Sequence, residues 1–218
     1  MIYVSFGSLS VLSQTQFQQL ALALEATERP FLWVVRSDLL EAGSDQVAFP
    51  PGFLERIQLQ RQQGCLVSWC PQLRVLSHPS IACFVTHCGW NSALESISMG
   101  VPMLCWPHFA DQFLNQSYIV HVWKIGLSLL EENRPATSTV DGTSICYKNP
   151  TSTVNGTSTI QMSEIQRAVE RVVTGEEGAE MKRRVMKLRE NAIDAVKEGG
   201  SSYTNFHKFA NAMKTVEE

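Results

Sequence analysis

The sequence predicts an α/β domain built on a doubly wound, Rossmann-like parallel sheet. Short apolar runs recur along the chain, helix-length amphipathic segments separate them, and the runs are apolar on both faces. Strands of that kind need cover on both sides, which crossover helices supply. In such sheets ligands bind beyond the carboxyl ends of the strands.

The expected strands are residues 2–6, 31–35, 65–69, 82–86, 102–106 and 126–129. Ser13 followed by Gln16 forms a capping-box start for a helix in which Phe17, Leu20, Ala21 and Leu24 recur at helical spacing. Pro71 suits the first position of a short helix carrying Leu73 and Leu76. The helix after the fourth strand bears Leu94, Ile97 and Ser98. Ser163 and Gln166 mark a later helix start within a helical stretch over 162–216, broken at Gly199-Gly200. Residues 131–159 differ in kind, being rich in Thr, Ser, Asn, Gly and Pro. Within them Thr137-Ser-Thr-Val-Asp-Gly-Thr-Ser144 returns as Thr151-Ser-Thr-Val-Asn-Gly-Thr-Ser158, with one change in eight positions. A tandem duplication in a mobile surface loop is the simplest reading, and no chemistry is assigned to it.

A length of 218 residues with 44% hydrophobic content suffices for one large core. A charged fraction of 18% and a net charge of -3 give no electrostatic pull toward nucleic acid or an anionic membrane. The start at Met1 has no basic leader, and no apolar run approaches the roughly 20 residues of a membrane span, so a cytoplasmic chain is expected. Six cysteines without a Cys-x-x-Cys pair read as free thiols; Cys65, Cys70, Cys83, Cys88 and Cys105 fall in or beside core segments, and Cys146 lies in the Thr/Ser-rich stretch. The sequons at Asn115 and Asn155 read as chance in a chain without a secretion signal.

The chemistry concentrates in residues 69–112. The strand over 82–86 ends in His87-Cys88-Gly89-Trp90-Asn91-Ser92 and passes directly into a helix. Gly89 permits a tight turn, and the following backbone N–H groups lie at a helix N-terminus, where free donors and the macrodipole favour a phosphate. His87, Asn91 and Ser92 add side-chain donors. Glu95, one turn after Asn91, sets a carboxylate beside that site for ribose hydroxyls, and Trp69 at the close of a strand can offer its face to a base. Taken singly, His87 reads as structural, Trp69 as core, Glu95 as a solvated face and Asp111-Gln112 as a helix start. Their joint placement at one sheet edge overturns those readings. The absence of G-x-G-x-x-G argues against a nicotinamide or flavin enzyme. A zinc site from His78, His87 and Cys88 fails on spacing, so neither metal nor cofactor is expected.

With these residues in view, Trp69, Pro71-Gln72, His78, the His87–Ser92 run, Glu95, Gly100-Val101-Pro102, Pro107 and Asp111-Gln112 resemble the plant secondary-product glycosyltransferase signature at every defining position. Tyr3-Val-Ser-Phe-Gly-Ser8 resembles the opening of the C-terminal domain in the same family 1 UDP-glycosyltransferases. The resemblance implies the C-terminal half of a two-domain GT-B fold and inverting transfer of glucose from UDP-glucose to a small lipophilic plant metabolite. It implies that Trp69 stacks on uracil, that the Cys70 main chain and Gln72 complete base and ribose recognition, and that Glu95 takes the ribose. It further implies that Ser8, His87, Asn91, Ser92 and the Trp90 backbone hold the phosphates, with Gly89 in the same loop, and that Asp111 and Gln112 bind the sugar. Gln112 and Trp90 are the residues that would favour glucose over galactose and glucuronate.

On the same resemblance, the acceptor domain and its catalytic histidine precede residue 1, and no catalytic base is expected in this chain. Two readings follow: the donor half of a glucosyltransferase, paired with an N-terminal acceptor domain or self-associated, or a UDP-sugar-binding module without catalysis, such as a truncated relict.

Overall fold

The computed structural model describes residues 1–36, 48–59, 63–130, 139–140, 143–144 and 159–214. Its centre is a six-stranded, wholly parallel sheet of β1 (Ile2–Ser5), β2 (Phe31–Val34), β3 (Gly64–Val67), β4 (Cys83–Thr86), β5 (Met103–Cys105) and β6 (Gly126–Ser128). The strand order is β3-β2-β1-β4-β5-β6. All six expected strands are present. The third stops two residues short of Trp69, which lies in the loop beyond it.

Helices cover both faces. They are α1 (Gln14–Ala26), α2 (Phe53–Leu59), α3 (Gln72–Leu76), α4 (Trp90–Met99), α5 (Gln112–Ser117), α6 (Met162–Thr174), α7 (Glu176–Val196) and α8 (Ser201–Lys214). Strand alternation divides the core. Ile2 and Val4 of β1 pack with Phe17, Leu20 and Leu24 of α1 and with Ile165 and Val169 of α6. Tyr3 points the other way, with Phe84, Ala93, Ile97, Met103 and Val185. Each fully buried apolar side chain of this size contributes about 1.5–3 kcal/mol.

Local signals explain most helix ends. The Ser13 hydroxyl accepts the Gln16 N–H at 3.3 Å, as its spacing predicts. The later helix begins at Met162, the start of the expected stretch, but its cap is Gln161 and not Ser163: the Gln161 N–H donates to the Glu164 carboxylate at 2.7 Å, and Ser163 lies inside the first turn. Gly100 ends α4 in the left-handed conformation, φ 68° and ψ 37°. There α7 clamps the helix: Lys182 donates to the Gly100 carbonyl at 2.6 Å and Arg189 to that of Ser98 at 2.9 Å. Cations at a helix C-terminus complement its dipole. α5 runs on into a π-helical turn, Tyr118–Val122.

Several expectations change. α2 has no counterpart among them. The buried face of α4 is Ser92, Ala93, Ser96 and Ile97, which leaves Leu94 exposed; Leu73 of α3 is also exposed. Cys65 is exposed because β3 is an edge strand, whereas Cys83, Cys88 and Cys105 are buried; these three, Cys65 and Cys70 are free thiols. Asn115 is buried, so its sequon is closed to modification. Within 131–159, Thr139–Val140 pairs antiparallel with Thr143–Ser144; Cys146, Asn155, most of that stretch and residues 215–218 lie outside the described residues. Among the described residues no helix is long and apolar enough to cross a membrane.

Candidate functional site

The strand order reverses between β1 and β4, and the loops leaving these two strands meet at the carboxyl edge of the sheet. His87, the residue after β4, lies between Gly7, which follows β1, and Gly89. A Cβ on Gly7 would stand 2.7 Å from His87 Nε2, and one on Gly89 would stand 2.5 Å from it. Both glycines are therefore required by the imidazole. This corrects the turn assigned to Gly89: its φ of -58° and ψ of 143° suit any residue, and Cys88 makes the turn, at φ 65°. Thr86 supports that conformation, its Oγ1 accepting the Cys88 N–H at 3.2 Å.

The ladder of α4 begins with the Ala93 N–H donating to the Gly89 carbonyl at 3.0 Å. The amides of Trp90, Asn91 and Ser92 consequently have no intrahelical acceptor, and Gly89 supplies no side-chain cap. His87 Nδ1 is buried without a hydrogen-bond partner. Burial lowers its pKa, while the nearby Asp111 carboxylate and the Ser5 main chain raise it in part. A buried imidazole and three amides without intrahelical acceptors thus share this edge with Asn91 and Ser8, both exposed in the segments that follow β4 and β1. This is an anion cradle by geometry.

A second group forms the adjoining wall. Gln72, first residue of α3, donates through Nε2 to Glu95 Oε2 at 2.7 Å and to Ser92 Oγ at 3.0 Å, and its Oε1 accepts from the Tyr3 hydroxyl at 3.1 Å. Both Gln72 amide hydrogens are engaged within the protein, so its direct role toward a ligand narrows to the carbonyl. Ser92 accepts from Gln72 and retains its own proton to donate. Trp69 is 75% exposed, which removes any reading of it as core.

The loop after β5 completes the edge. Asp111 precedes α5, and its Oδ2 accepts from Asn115 Nδ2 at 2.8 Å; the same nitrogen donates to the Cys88 carbonyl at 2.9 Å. Asn115 thereby ties the Asp111 loop to the His87 loop. Gln112 is buried, and its Oε1 accepts the His108 and Phe109 N–H groups at 2.8 and 3.1 Å. Only its amide nitrogen remains for a ligand. Ala110, at φ 56°, and Cys88 place positive-φ backbone in both loops of the site. His108 packs edge-on to Phe6 at 5.5 Å, and its Nε2 is buried without a hydrogen-bond partner. Burial and then the neighbouring His87 lower its pKa to about 4.

Eleven of the twelve expected site residues lie in the loops and first helical turns at this edge, and Glu95 follows in the second turn of α4. Tyr3, Asn115 and His108 were not anticipated. Tyr3 is inside a strand and His108 within a loop; Asn115 had one available signal, its i,i+4 spacing from Asp111.

Polar groups at the switch point, a carboxylate beside them and an exposed tryptophan beyond the edge strand β3 thus line the carboxyl edge of a doubly wound sheet, where ligands bind in such folds. Residues 1–134 match the family model "UDP-glucoronosyl and UDP-glucosyl transferase", and the chain belongs to that family. UDP glycosyltransferase 9 of Catharanthus roseus is 39% identical over 97% of this chain and 38% of its own length. UDP-glycosyltransferase 75C1 of Solanum lycopersicum is 40% identical over 95% of this chain and 38% of its own length. Among solved structures, Os79 from O. sativa in complex with UDP superposes with a TM-score of 0.74 at 30% identity, over 97% of this chain and 40% of Os79. Phytolacca americana UGT2 complexed with UDP-2fluoro-glucose and pterostilbene gives 0.74 at 33% identity, over 97% and 41%. The sheet and helices are thus one half of a GT-B fold. The chain spans about 38% of the length of these curated relatives.

Proposed function

We propose that this chain is the donor-binding half of a UDP-glycosyltransferase, that its donor is UDP-glucose, and that the transfer it supports proceeds with inversion. The observation that carries this is the cradle around His87, flanked by the Gln72–Glu95 pair and the exposed Trp69. Uracil stacks on Trp69 beside the Cys70 main chain, and the ribose hydroxyls meet Glu95. The two phosphates take the amides of Trp90, Asn91 and Ser92, the side chains of His87 and Asn91, and the Ser8 hydroxyl. Asp111 accepts from the sugar hydroxyls, and the Gln112 amide donates to them.

In the reaction an acceptor hydroxyl oxygen bonds to the anomeric carbon as the bond from that carbon to the UDP oxygen breaks. The electron pair leaves with UDP, and the hydroxyl proton passes to a base. Charge gathers on the departing diphosphate, so preorganised donors around it lower the barrier. These residues supply that leaving-group side. The base and the acceptor contacts are assigned to an acceptor half. Apolar side chains left exposed support a partner there: Leu9, Val11 and Phe109 near the site, and Phe206, Phe209 and Met213 on α8. The acceptor is a small hydroxylated lipophilic molecule, no cofactor or metal takes part, and the setting is cytoplasmic.

The test is glucose transfer to a panel of flavonoid and terpenoid acceptors, by the chain alone and with a separately expressed N-terminal domain of a relative. Turnover that requires the added domain supports the proposal. UDP-glucose binding without turnover in either case favours a binding module without catalysis.

A further inference from the structure

We infer that Tyr3 is a positioning residue for ribose recognition: from inside the sheet core, its hydroxyl sets the amide of Gln72 and, through it, the carboxylate of Glu95. The inference rests on the reading of Glu95 as the ribose ligand.

Tyr3 is 1% exposed in the middle of β1 and stacks on Phe84 at 4.8 Å. Its hydroxyl meets Gln72 Oε1 at 3.1 Å and Cys70 Sγ at 3.4 Å, with the Ser5 side chain also beside it. An amide oxygen can only accept, so the single phenolic proton goes to Gln72, and the Cys70 thiol is left to donate to the phenol oxygen. Gln72 in turn spends both amide hydrogens on Ser92 Oγ and Glu95 Oε2. The chain of bonds runs one way, from thiol to phenol to amide to carboxylate. Hydrogen bonds aligned in this manner reinforce one another.

The direction has a consequence for the site. If the Gln72 amide flipped, its oxygen would face the Glu95 carboxylate and the hydroxyl oxygen of Ser92 would lose its donor. The Tyr3 proton opposes that flip because it needs an acceptor where Oε1 stands. Burial raises the phenol's pKa well above the ordinary tyrosine value, so it remains a donor throughout the working pH range. With Oε2 held by Gln72, Glu95 keeps its other oxygen for a ligand hydroxyl. The amide bond to Ser92 fixes a second oxygen, in the first turn of α4. A residue one strand away from any ligand thereby orients two groups that touch it.

Tyr3→Phe removes one oxygen and keeps the ring, its stacking and the strand. The experiment measures affinity for UDP and for 2′,3′-dideoxy-UDP by calorimetry, with the wild-type chain, Tyr3→Phe, Gln72→Leu and the double variant. The wild type is expected to prefer UDP. Tyr3→Phe should lose about three- to ten-fold on UDP, the size of one hydrogen bond, and little on the dideoxy ligand. Gln72→Leu should lose the same preference, and the double variant should lose no more than Gln72→Leu alone, since both act on one interaction. Equal losses on the two ligands would show that Tyr3 supports the fold and not the ribose contact, and would overturn the inference. So would an unchanged Tyr3→Phe preference beside a discriminating wild type. A wild type that binds both ligands equally would instead overturn the ribose reading of Glu95, and this inference with it.

Discussion

His87 occupies the space that a side chain at Gly89 would need: a Cβ there would lie 2.5 Å from Nε2. Gly89 has ordinary backbone angles, so nothing but this approach excludes alanine. Gly89→Ala should therefore leave the fold intact, displace the imidazole and reduce UDP affinity by about as much as His87→Ala, roughly 1.5–3 kcal/mol for a hydrogen bond to a charged group. Calorimetry on the two single variants and the double one checks this. Additive losses would show that the two residues act independently.

His108 gives stability a pH dependence. Its imidazole titrates near pH 4 in the folded chain because it is buried and beside His87. The unfolded chain takes up that proton near about pH 6.5. Between the two values the unfolded state holds more protons, so the contribution is complete above about pH 6.5 and is lost as pH falls toward 4. His108→Phe should lose about 1 kcal/mol less than the wild type on going from about pH 7.5 to about pH 5.5. Urea denaturation at both values measures it.

The order of these elements was legible in the sequence because a parallel sheet writes its strands as apolar runs. Six strands, the Ser13 cap and the Gly199-Gly200 break follow from patterns within a few residues. α2 was not legible, since it is short and its two buried residues, Phe53 and Ile57, make a weak period. In the site, the residues after strand ends could be read because chemistry at a sheet edge needs polar groups there. The supporting residues could not. Tyr3 looks like any aromatic in a strand, and its partner Gln72 is 69 positions away in sequence. The role of Gly89 was likewise hidden, because a glycine required by a neighbouring ring and one required by a turn look alike until the angles are known.

The proposed preference for UDP-glucose rests on Gln112 and its loop. Its Oε1 is held by the His108 and Phe109 amides, which fixes the direction of the amide nitrogen and leaves its hydrogens to donate. Competition among UDP-glucose, UDP-galactose and UDP-glucuronate should favour UDP-glucose, with a discrimination of about 1–3 kcal/mol at most for a loosely held hydroxyl. Preference for either competitor would refute the assignment. Gln112→Ala should weaken UDP-sugar binding more than UDP binding.

The most direct test of the donor site is a UDP titration of the wild-type chain and its Trp69→Ala variant. Trp69 is 75% exposed, so its removal should change stability by no more than about 0.5 kcal/mol. If the ring is the platform for the base, the same change should cost UDP about 1–3 kcal/mol of affinity while leaving inorganic diphosphate binding unaltered. Equal UDP affinity in the two proteins would contradict the site as drawn.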